Sequence, residues 1–171
     1  IAPGIKRNFL AESWRNLFND NMWKMARDEA NDLIKKDIEM SIQGFDKDGE
    51  IIKIARINAK NAGVDKLIHF QQRDLAELTS NRKYGFIITN PPYGERLEEK
   101  SKLPELYKEI GRVFGKLDTW SYFIITAYEE AQKYIGRVAD KNRKVYNGMM
   151  KTYFYQYMGP KPPKANIRDN V

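Results

Sequence analysis

An apolar run that stops at two prolines is the feature that most constrains how this chain can fold. Residues 84–88 favour a buried β-strand, and Thr89-Asn90-Pro91-Pro92-Tyr93 follows them directly. Because proline has no N–H to donate to a sheet, the strand must end there in a stiff loop. Open α/β sheets hold their active sites beyond the carboxyl ends of the strands. The sequence therefore predicts an α/β fold with a functional site at 90–93.

The proline turn offers two hydrogen-bond acceptors. Each proline fixes its own φ and biases the preceding residue toward an extended conformation, so Asn90 and Pro91 have little freedom. The Asn90 side-chain oxygen and the Pro91 carbonyl are both acceptors, and the turn has no side chain for proton transfer. Two acceptors suit an NH₂ group, and the flat ring of Tyr93 suits a base turned out of its helix. The turn predicts a site for the amine of a nucleic acid base.

Asn90-Pro91-Pro92-Tyr93 resembles motif IV of the S-adenosylmethionine-dependent amino-methyltransferases that act on nucleic acid bases. The longer run 90–97, Asn-Pro-Pro-Tyr-Gly-Glu-Arg-Leu, resembles the THUMP-associated 23S ribosomal RNA guanine-N2 methyltransferases. The resemblance implies a Rossmann-like class I methyltransferase sheet, S-adenosyl-L-methionine as cofactor, ribosomal RNA as partner and a role in rRNA processing. It also implies that Asn90, Pro91, Pro92 and Tyr93 are catalytic and that Asn90 contacts the cofactor as well.

The motif leaves the substrate open. Asn-Pro-Pro-Tyr also serves adenine-N6 methylation of DNA or RNA, because adenine and guanine differ in the position of the amine. A noncatalytic RNA-binding module with the same sheet is an alternative from another class. The plain structural alternative is a strand end followed by a Pro-Pro turn. The identity of the methylated nucleoside separates the two enzymes, and calorimetry with S-adenosylmethionine separates either from a binding module.

Composition restricts the class further. The chain has 171 residues, no cysteine, one histidine and a formal net charge of +7. The length suits one domain, and the lack of cysteine excludes disulfides and thiolate metal sites, so we expect no metal and a cytoplasmic setting. No apolar run approaches the roughly 20 residues of a membrane span. The positive charge favours a polyanionic partner such as RNA.

An acidic pair follows the first predicted strand. Residues 38–46 alternate apolar and polar side chains and run into Asp46-Lys47-Asp48-Gly49, before a helical pattern over 50–63. A carboxylate at this place can bind the hydroxyls of a ribose. The resemblance implies that Asp46 binds the cofactor ribose, with Lys47 along the adenine and Asp48 beside it. The alternative is an Asx turn and helix N-cap.

The strand–helix unit is followed by a second strand that ends in an acid. Residues 67–75 predict this strand, and the alternation of strands and helices predicts a parallel sheet with right-handed crossovers. The resemblance implies that Asp74 accepts the adenine amino group of the cofactor, with the Leu75 backbone nearby. A helix N-cap at Asp74 is the alternative.

The remaining elements follow from periodicity and turn signals. We expect a helix over 103–117, an apolar strand over 120–127, a short helix over 128–135 and an antiparallel hairpin over 141–157, turning around Asn147-Gly148. Tyr153, Tyr155 and Tyr157 share one strand face and are expected to pack there. Arg96 is a candidate contact for a phosphate or for the cofactor loop, and a surface ion pair is the alternative. Residues 159–171 are expected to form a basic, disordered tail.

The beginning of the chain carries a further expectation. It starts Ile1-Ala2-Pro3-Gly4, and no glycine-rich cofactor loop is present in it. In the family an equivalent run comes after that loop, so the resemblance implies that 1–158 is the later part of a catalytic domain. We expect the first strand, the glycine turn and a THUMP domain in an upstream segment that accompanies the chain. The alternative is a permuted or divergent family member with the loop elsewhere. Without that strand the sheet would have a gap between the strands that end at Asp46 and Asn90.

Overall fold

The computed structural model describes residues 7–35, 40–94 and 100–163. The chain divides into two compact units, Ile1–Arg73 and Asp74–Val171. Within the described ranges, no helix has both the length and the apolar character needed to cross a bilayer.

The first unit contains a parallel β–α–β arrangement. After helix α1 (Asp20–Asp32), strand β1 (Ile42–Asp46) leads through helix α2 (Gly49–Ala62) to strand β2 (Ile68–Gln72). The strands pair in parallel, with Ile42 opposite Ile68 and Asp46 opposite Gln72. Helix α2 ends as predicted, because Gly63 has the left-handed conformation, φ 70°, that suits a C-cap. The predicted strand–helix–strand order is confirmed, although β1 is shorter than the alternating run.

The second unit contains a four-stranded mixed sheet in the order β3-β4-β6-β5. Strand β3 (Phe86–Thr89) pairs in parallel with β4 (Ser121–Thr126). Strand β6 (Met150–Tyr157) then pairs antiparallel with β4 on one side and with β5 (Lys141–Asn147) on the other. The predicted antiparallel hairpin is therefore confirmed, and its turn includes Gly148 at φ 60°.

Two helices form the core of this unit with the sheet. Helix α3 (Leu103–Phe114) has Pro104 in its first turn, as predicted, and ends before the predicted 117. Helix α4 (Ala131–Ile135) begins after the predicted 128, because residues 127–130 form a turn. The helices approach closely at Gly111, where a Cβ would lie 2.2 Å from the Ile135 carbonyl oxygen. The largest side chains without solvent exposure include Tyr107, Ile110, Val113, Ile124, Tyr155 and Tyr157.

The strands expected on either side of a gap belong to different sheets. Strand β1 pairs with β2, and β3 lies at one edge of the four-stranded sheet with β4 as its neighbour. On β3, Phe86 is 68% exposed and Ile88 is 79% exposed. Among the described residues, the strand that leads into the proline turn thus has one hydrogen-bonding edge without a partner strand.

The predicted tail is described only as far as Pro163. Gly159, at its beginning, donates its backbone N–H to Ser121 Oγ at 3.0 Å. Residues 158–163 form neither helix nor strand.

Candidate active site

The proline turn leaves β3 at Thr89 and packs against the start of α3. Pro91 and Gly94 are buried, Tyr93 is half-buried, and Asn90 is exposed. Gly94 has φ 78°, and a Cβ there would lie 2.9 Å from side-chain atoms of both Lys100 and Leu103. This position therefore needs glycine for its backbone conformation and for space. The result is a turn with an anchored backbone and an accessible Asn90 side chain.

A buried tyrosine connects the proline turn to the end of β4. Tyr107 of α3 is fully buried, and its hydroxyl lies 3.4 Å from the Pro92 carbonyl oxygen while making a short hydrogen bond with Thr126 Oγ1. The backbone N–H of Tyr128 donates to the same Thr126 oxygen at 3.0 Å. Thr126 can then donate to Tyr107, which donates to Pro92. The hydrogen bonds run in one direction from the segment after β4 to the proline turn.

The acid–base behaviour of Tyr107 fits a positioning role. Burial raises the pKa of Tyr107 to about 12. Its hydroxyl therefore keeps its proton at neutral pH and cannot act there as a base. Sequence reasoning missed this residue, because a tyrosine in an apolar helical pattern looks like core and its partners are 15 and 19 residues away along the chain.

An open cavity lies beside the turn. Its volume is about 660 Å³, within the range of roughly 300–1,000 Å³ typical of ligand sites. The lining comes from the turn, the start of α3, the segment after β4 and the start of β6. It consists of Tyr93, Gly94, Lys100, Leu103, Ala127, Tyr128, Glu129, Glu130 and Met150. The cavity thus combines aromatic rings, apolar surface and carboxylates next to a flat tyrosine.

Glu129 is one of the two carboxylates that line this cavity. Its Oε1 accepts from the Tyr153 hydroxyl at 2.8 Å and from Lys151 Nζ at 3.1 Å. The hydrogen bond from Tyr153, and next the one from Lys151, lower the pKa of Glu129, so it is a carboxylate at neutral pH. Tyr155 and Tyr157 of the same strand face pack in the core as predicted, whereas Tyr153 also has this polar role. No local sequence signal marked Glu129 or Lys151.

The predicted ribose-binding carboxylates lie together at the end of β1. Asp46 accepts from the backbone N–H of Asp48 at 2.8 Å, and Asp48 caps α2 by accepting from Glu50 at 2.8 Å. The Lys47 carbonyl accepts from Gln72 Nε2 at 3.0 Å. The Asx turn and N-cap alternative is therefore present. It does not exclude ligand binding, because each bond uses one oxygen of a carboxylate that has two.

The predicted adenine-binding residue also has a capping role. Asp74 is exposed, and its Oδ1 accepts from the backbone N–H of Ala76 at 2.9 Å. It caps the short 3₁₀ helix Leu75–Glu77, and Leu75 packs against the core of the second unit. Arg96, the candidate phosphate contact, lies outside the described residues.

Comparisons with known proteins agree with this architecture. Residues 1–156 match the family described as UPF0020, RMKL-like methyltransferase domain. The Bacillus subtilis (strain 168) protein named "Putative RNA methyltransferase YpsC" is 40% identical over 171 residues, which are 100% of this chain and 44% of that protein. The "Ribosomal RNA large subunit methyltransferase K/L" of Shewanella frigidimarina is 37% identical over 162 residues, 92% of this chain and 23% of that protein.

A solved structure is similar in fold and sequence. The crystal structure of SMU.472 complexed with SAH matches with a TM-score of 0.85 and 39% identity, covering 94% of this chain and 42% of that one. The chain thus spans less than half the length of each of these proteins. The α/β methyltransferase fold expected from the Asn-Pro-Pro-Tyr motif is confirmed, and the chain belongs to the RMKL-like methyltransferase domain family.

Proposed function

We propose that the chain carries the catalytic residues of an S-adenosylmethionine-dependent methyltransferase acting on the exocyclic N2 amine of guanine in RNA, with ribosomal RNA as the substrate class. The observation that carries this proposal is the anchored proline turn, which leaves Asn90 accessible beside a cavity lined by Tyr93. The names of the Bacillus and Shewanella relatives, which refer to RNA and ribosomal RNA, support the choice of substrate.

Polar residues at the ends of predicted strands have the chemistry required for the cofactor. S-adenosylmethionine, when bound, supplies an electrophilic methyl group. Asp46 accepts from its ribose hydroxyls, with Lys47 along the adenine ring and Asp48 beside them. Asp74 accepts from the adenine amino group, and the Leu75 backbone lies next to it. The donor set fits, because hydroxyl and amine donors match carboxylate oxygens at strand ends. The SAH named with the SMU.472 structure supports S-adenosylmethionine as the cofactor.

The proline turn aligns the guanine amine. The guanine N2 is a poor nucleophile because its lone pair is delocalised into the ring. Asn90 Oδ1 and the Pro91 carbonyl accept its two hydrogens, so that the lone pair points at the methyl carbon of the cofactor instead of being shared with the ring, while Tyr93 stacks on the base. Once it carries the methyl group, the amine is cationic and acidic, and its proton leaves to water, directly or along the hydrogen bond to Asn90. Alignment and electrostatic fit then supply most of the rate enhancement, without a strong base.

The substrate and product can be identified directly. The natural full-length protein is incubated with S-adenosylmethionine and unmodified ribosomal RNA, and the RNA is digested to nucleosides for mass spectrometry. We expect N2-methylguanosine. N6-methyladenosine would assign the enzyme to the adenine class, and the absence of both methylation and calorimetric binding of S-adenosylmethionine would make it a binding module.

A further inference from the structure

We infer that Glu129 and Lys151 read the Watson–Crick edge of the target base and thereby select guanine over adenine. The inference rests on the proposed function and assigns to these residues the choice of base, which the proline turn does not make. Either purine has an amine that can bind to two acceptors, so Asn90 and Pro91 alone cannot distinguish them. Another group must contact the part of the base edge that differs.

Glu129 lines the cavity beside the proline turn, and Lys151, which is not a lining residue, is hydrogen-bonded to it. Tyr93 follows β3 and Glu129 follows β4, and both line the same cavity. A base with its amine at Asn90 and its face on Tyr93 leaves the rest of its edge to the lining from the segment after β4. The Glu129 side chain is 69% exposed, so a ligand can reach it.

The hydrogen bonds of Glu129 leave one oxygen for a ligand. The Tyr153 hydroxyl and Lys151 Nζ both donate to Oε1. Within the described part of the chain, no hydrogen bond to Oε2 is present. Lys151 uses one of its three ammonium hydrogens on Glu129, and its side chain is 39% exposed. Together they present an acceptor beside a donor, held in place by a tyrosine.

This pair complements guanine and opposes adenine. Next to its amine guanine carries N1–H, a donor, and beyond that O6, an acceptor. Glu129 Oε2 can accept from N1–H while Lys151 donates to O6. In adenine the ring nitrogen next to the amine is an acceptor, so the Glu129 carboxylate would face another acceptor. Adenine therefore lacks the partners that guanine offers to Glu129 and Lys151, and a site built for a hydrogen bond discriminates against a ligand that lacks the partner.

The test uses one RNA with two acceptor bases. A 23S ribosomal RNA fragment carries guanosine or 2-aminopurine at the methylated position; 2-aminopurine keeps the amine but lacks O6 and has an unprotonated N1. With the natural full-length protein we expect guanine to be preferred in kcat/KM. Glu129→Gln replaces the carboxylate by an amide that can donate to N1, so we expect the guanine to 2-aminopurine ratio to fall about 10- to 100-fold. Lys151→Met should lower kcat/KM for guanine and leave that for 2-aminopurine unchanged.

The matched control is Glu109→Gln. Glu109 also accepts from a cation, Arg112, but it lies on α3 and not among the cavity residues. The control should keep the wild-type ratio. Glu129→Gln could instead methylate guanine with the wild-type ratio, or lower both activities equally. In either case Glu129 serves only in an ion pair that links the segment after β4 to Lys151 of β6. That result overturns the inference and leaves guanine-N2 methylation intact. N6-methyladenosine as product of the unaltered enzyme would overturn both.

Discussion

At the scale of single residues, the proposed site has two kinds of group: those expected to contact the substrate and those that hold them in place. Asn90 is exposed at the turn, whereas Tyr107 is buried behind it and bonded to Pro92 and Thr126. The two kinds of residue should respond differently to mutation. Loss of a contact group changes the chemical step, and loss of a holding group also changes the stability of the fold.

Replacing Asn90 tests the contact role. Asn90→Ala removes the side-chain acceptor, and we expect kcat to fall by about 10²-fold or more, the size of effect seen when one aligned hydrogen-bonding group is removed from an active site. Single-turnover methylation of RNA by the full-length protein measures it. Asn58→Ala, an exposed change on α2, is the control and should keep the wild-type rate. Unimpaired methyl transfer by Asn90→Ala would contradict the mechanism.

Replacing Tyr107 tests the holding role. Tyr107→Phe leaves the Pro92 carbonyl and the Thr126 hydroxyl without their partner, so we expect the free energy of unfolding to fall by about 1–3 kcal/mol, together with a lower kcat. Because the pKa of Tyr107 is about 12, the loss in kcat should be the same at every pH from 6 to 9. Chemical denaturation and pH–rate profiles measure both effects. Tyr146→Phe, on an exposed position of β5, is the control.

The raised pKa also fixes the sign of an alkaline effect. Tyr107 ionises near its ordinary value of about 10 in the unfolded chain and at about 12 in the folded one. The unfolded state therefore releases its proton first, and stability falls as pH rises from about 10 to about 12. Tyr107→Phe should reduce this slope. Two outcomes would contradict the positioning role of Tyr107. The variant could keep the wild-type slope of stability against pH, or its loss in kcat could be confined to one side of a pKa near neutrality.

At the scale of elements, the contact between α3 and α4 sets two effects against each other. Alanine is favoured over glycine inside a helix by about 1 kcal/mol. At Gly111, however, the added Cβ would lie 2.2 Å from the Ile135 carbonyl oxygen, which is backbone and cannot rotate away. We expect steric overlap to prevail, so that Gly111→Ala lowers the free energy of unfolding by about 1–3 kcal/mol. Urea denaturation measures it, with the exposed Glu105→Ala on the same helix as control. An increase in stability would show that α4 can move away.

The edge of β3 makes a second prediction at this scale. Phe86 and Ile88 are 68% and 79% exposed on a strand that, within ranges 7–35, 40–94 and 100–163, has no partner strand at one edge, and strands with a free edge tend to associate. We expect the 171-residue chain expressed alone to self-associate with increasing concentration. Ile88→Lys should reduce the associated fraction in sedimentation velocity, whereas Lys83→Arg, outside the strand, should not. A monodisperse monomer with cooperative unfolding would contradict the expectation.

At the scale of the whole molecule, the sequence predicts the order of elements better than the details of the site. Hydrophobic periodicity identifies α2, the parallel strands and the hairpin, because each depends on local alternation and on turn residues such as Gly63 and Gly148. Strand ends differ by a few residues, as for β1, which begins at Ile42. The stiff turn at 90–93 is also local, since proline restricts its own neighbours.

The residues that support the site could not be predicted, because their roles depend on partners that are distant in the sequence. Tyr107 and Glu129 acquire their roles from partners on other elements, and Glu129 meets Tyr153 across 24 residues of chain. A sequence pattern shows that such residues are aromatic or charged, but not which group they face. Asp46, Asp48 and Asp74 present a different difficulty. An acidic residue between a strand and a helix suits both helix capping and ligand binding, so the sequence alone cannot decide between the two roles.

The one-directional hydrogen bonds from Tyr128 through Thr126 and Tyr107 to Pro92 connect the segment after β4 to the proline turn, so the proposed base-selecting and amine-aligning residues share one support. Tyr128 adjoins Glu129. A base that displaces Glu129 should therefore also disturb the hydrogen bonds that support the proline turn at Asn90. We therefore expect poor substrates to be discriminated mainly by slow turnover after they have bound, and only weakly by their affinity. The choice of base would then depend on how well the hydrogen-bonded residues behind the proline turn keep their positions.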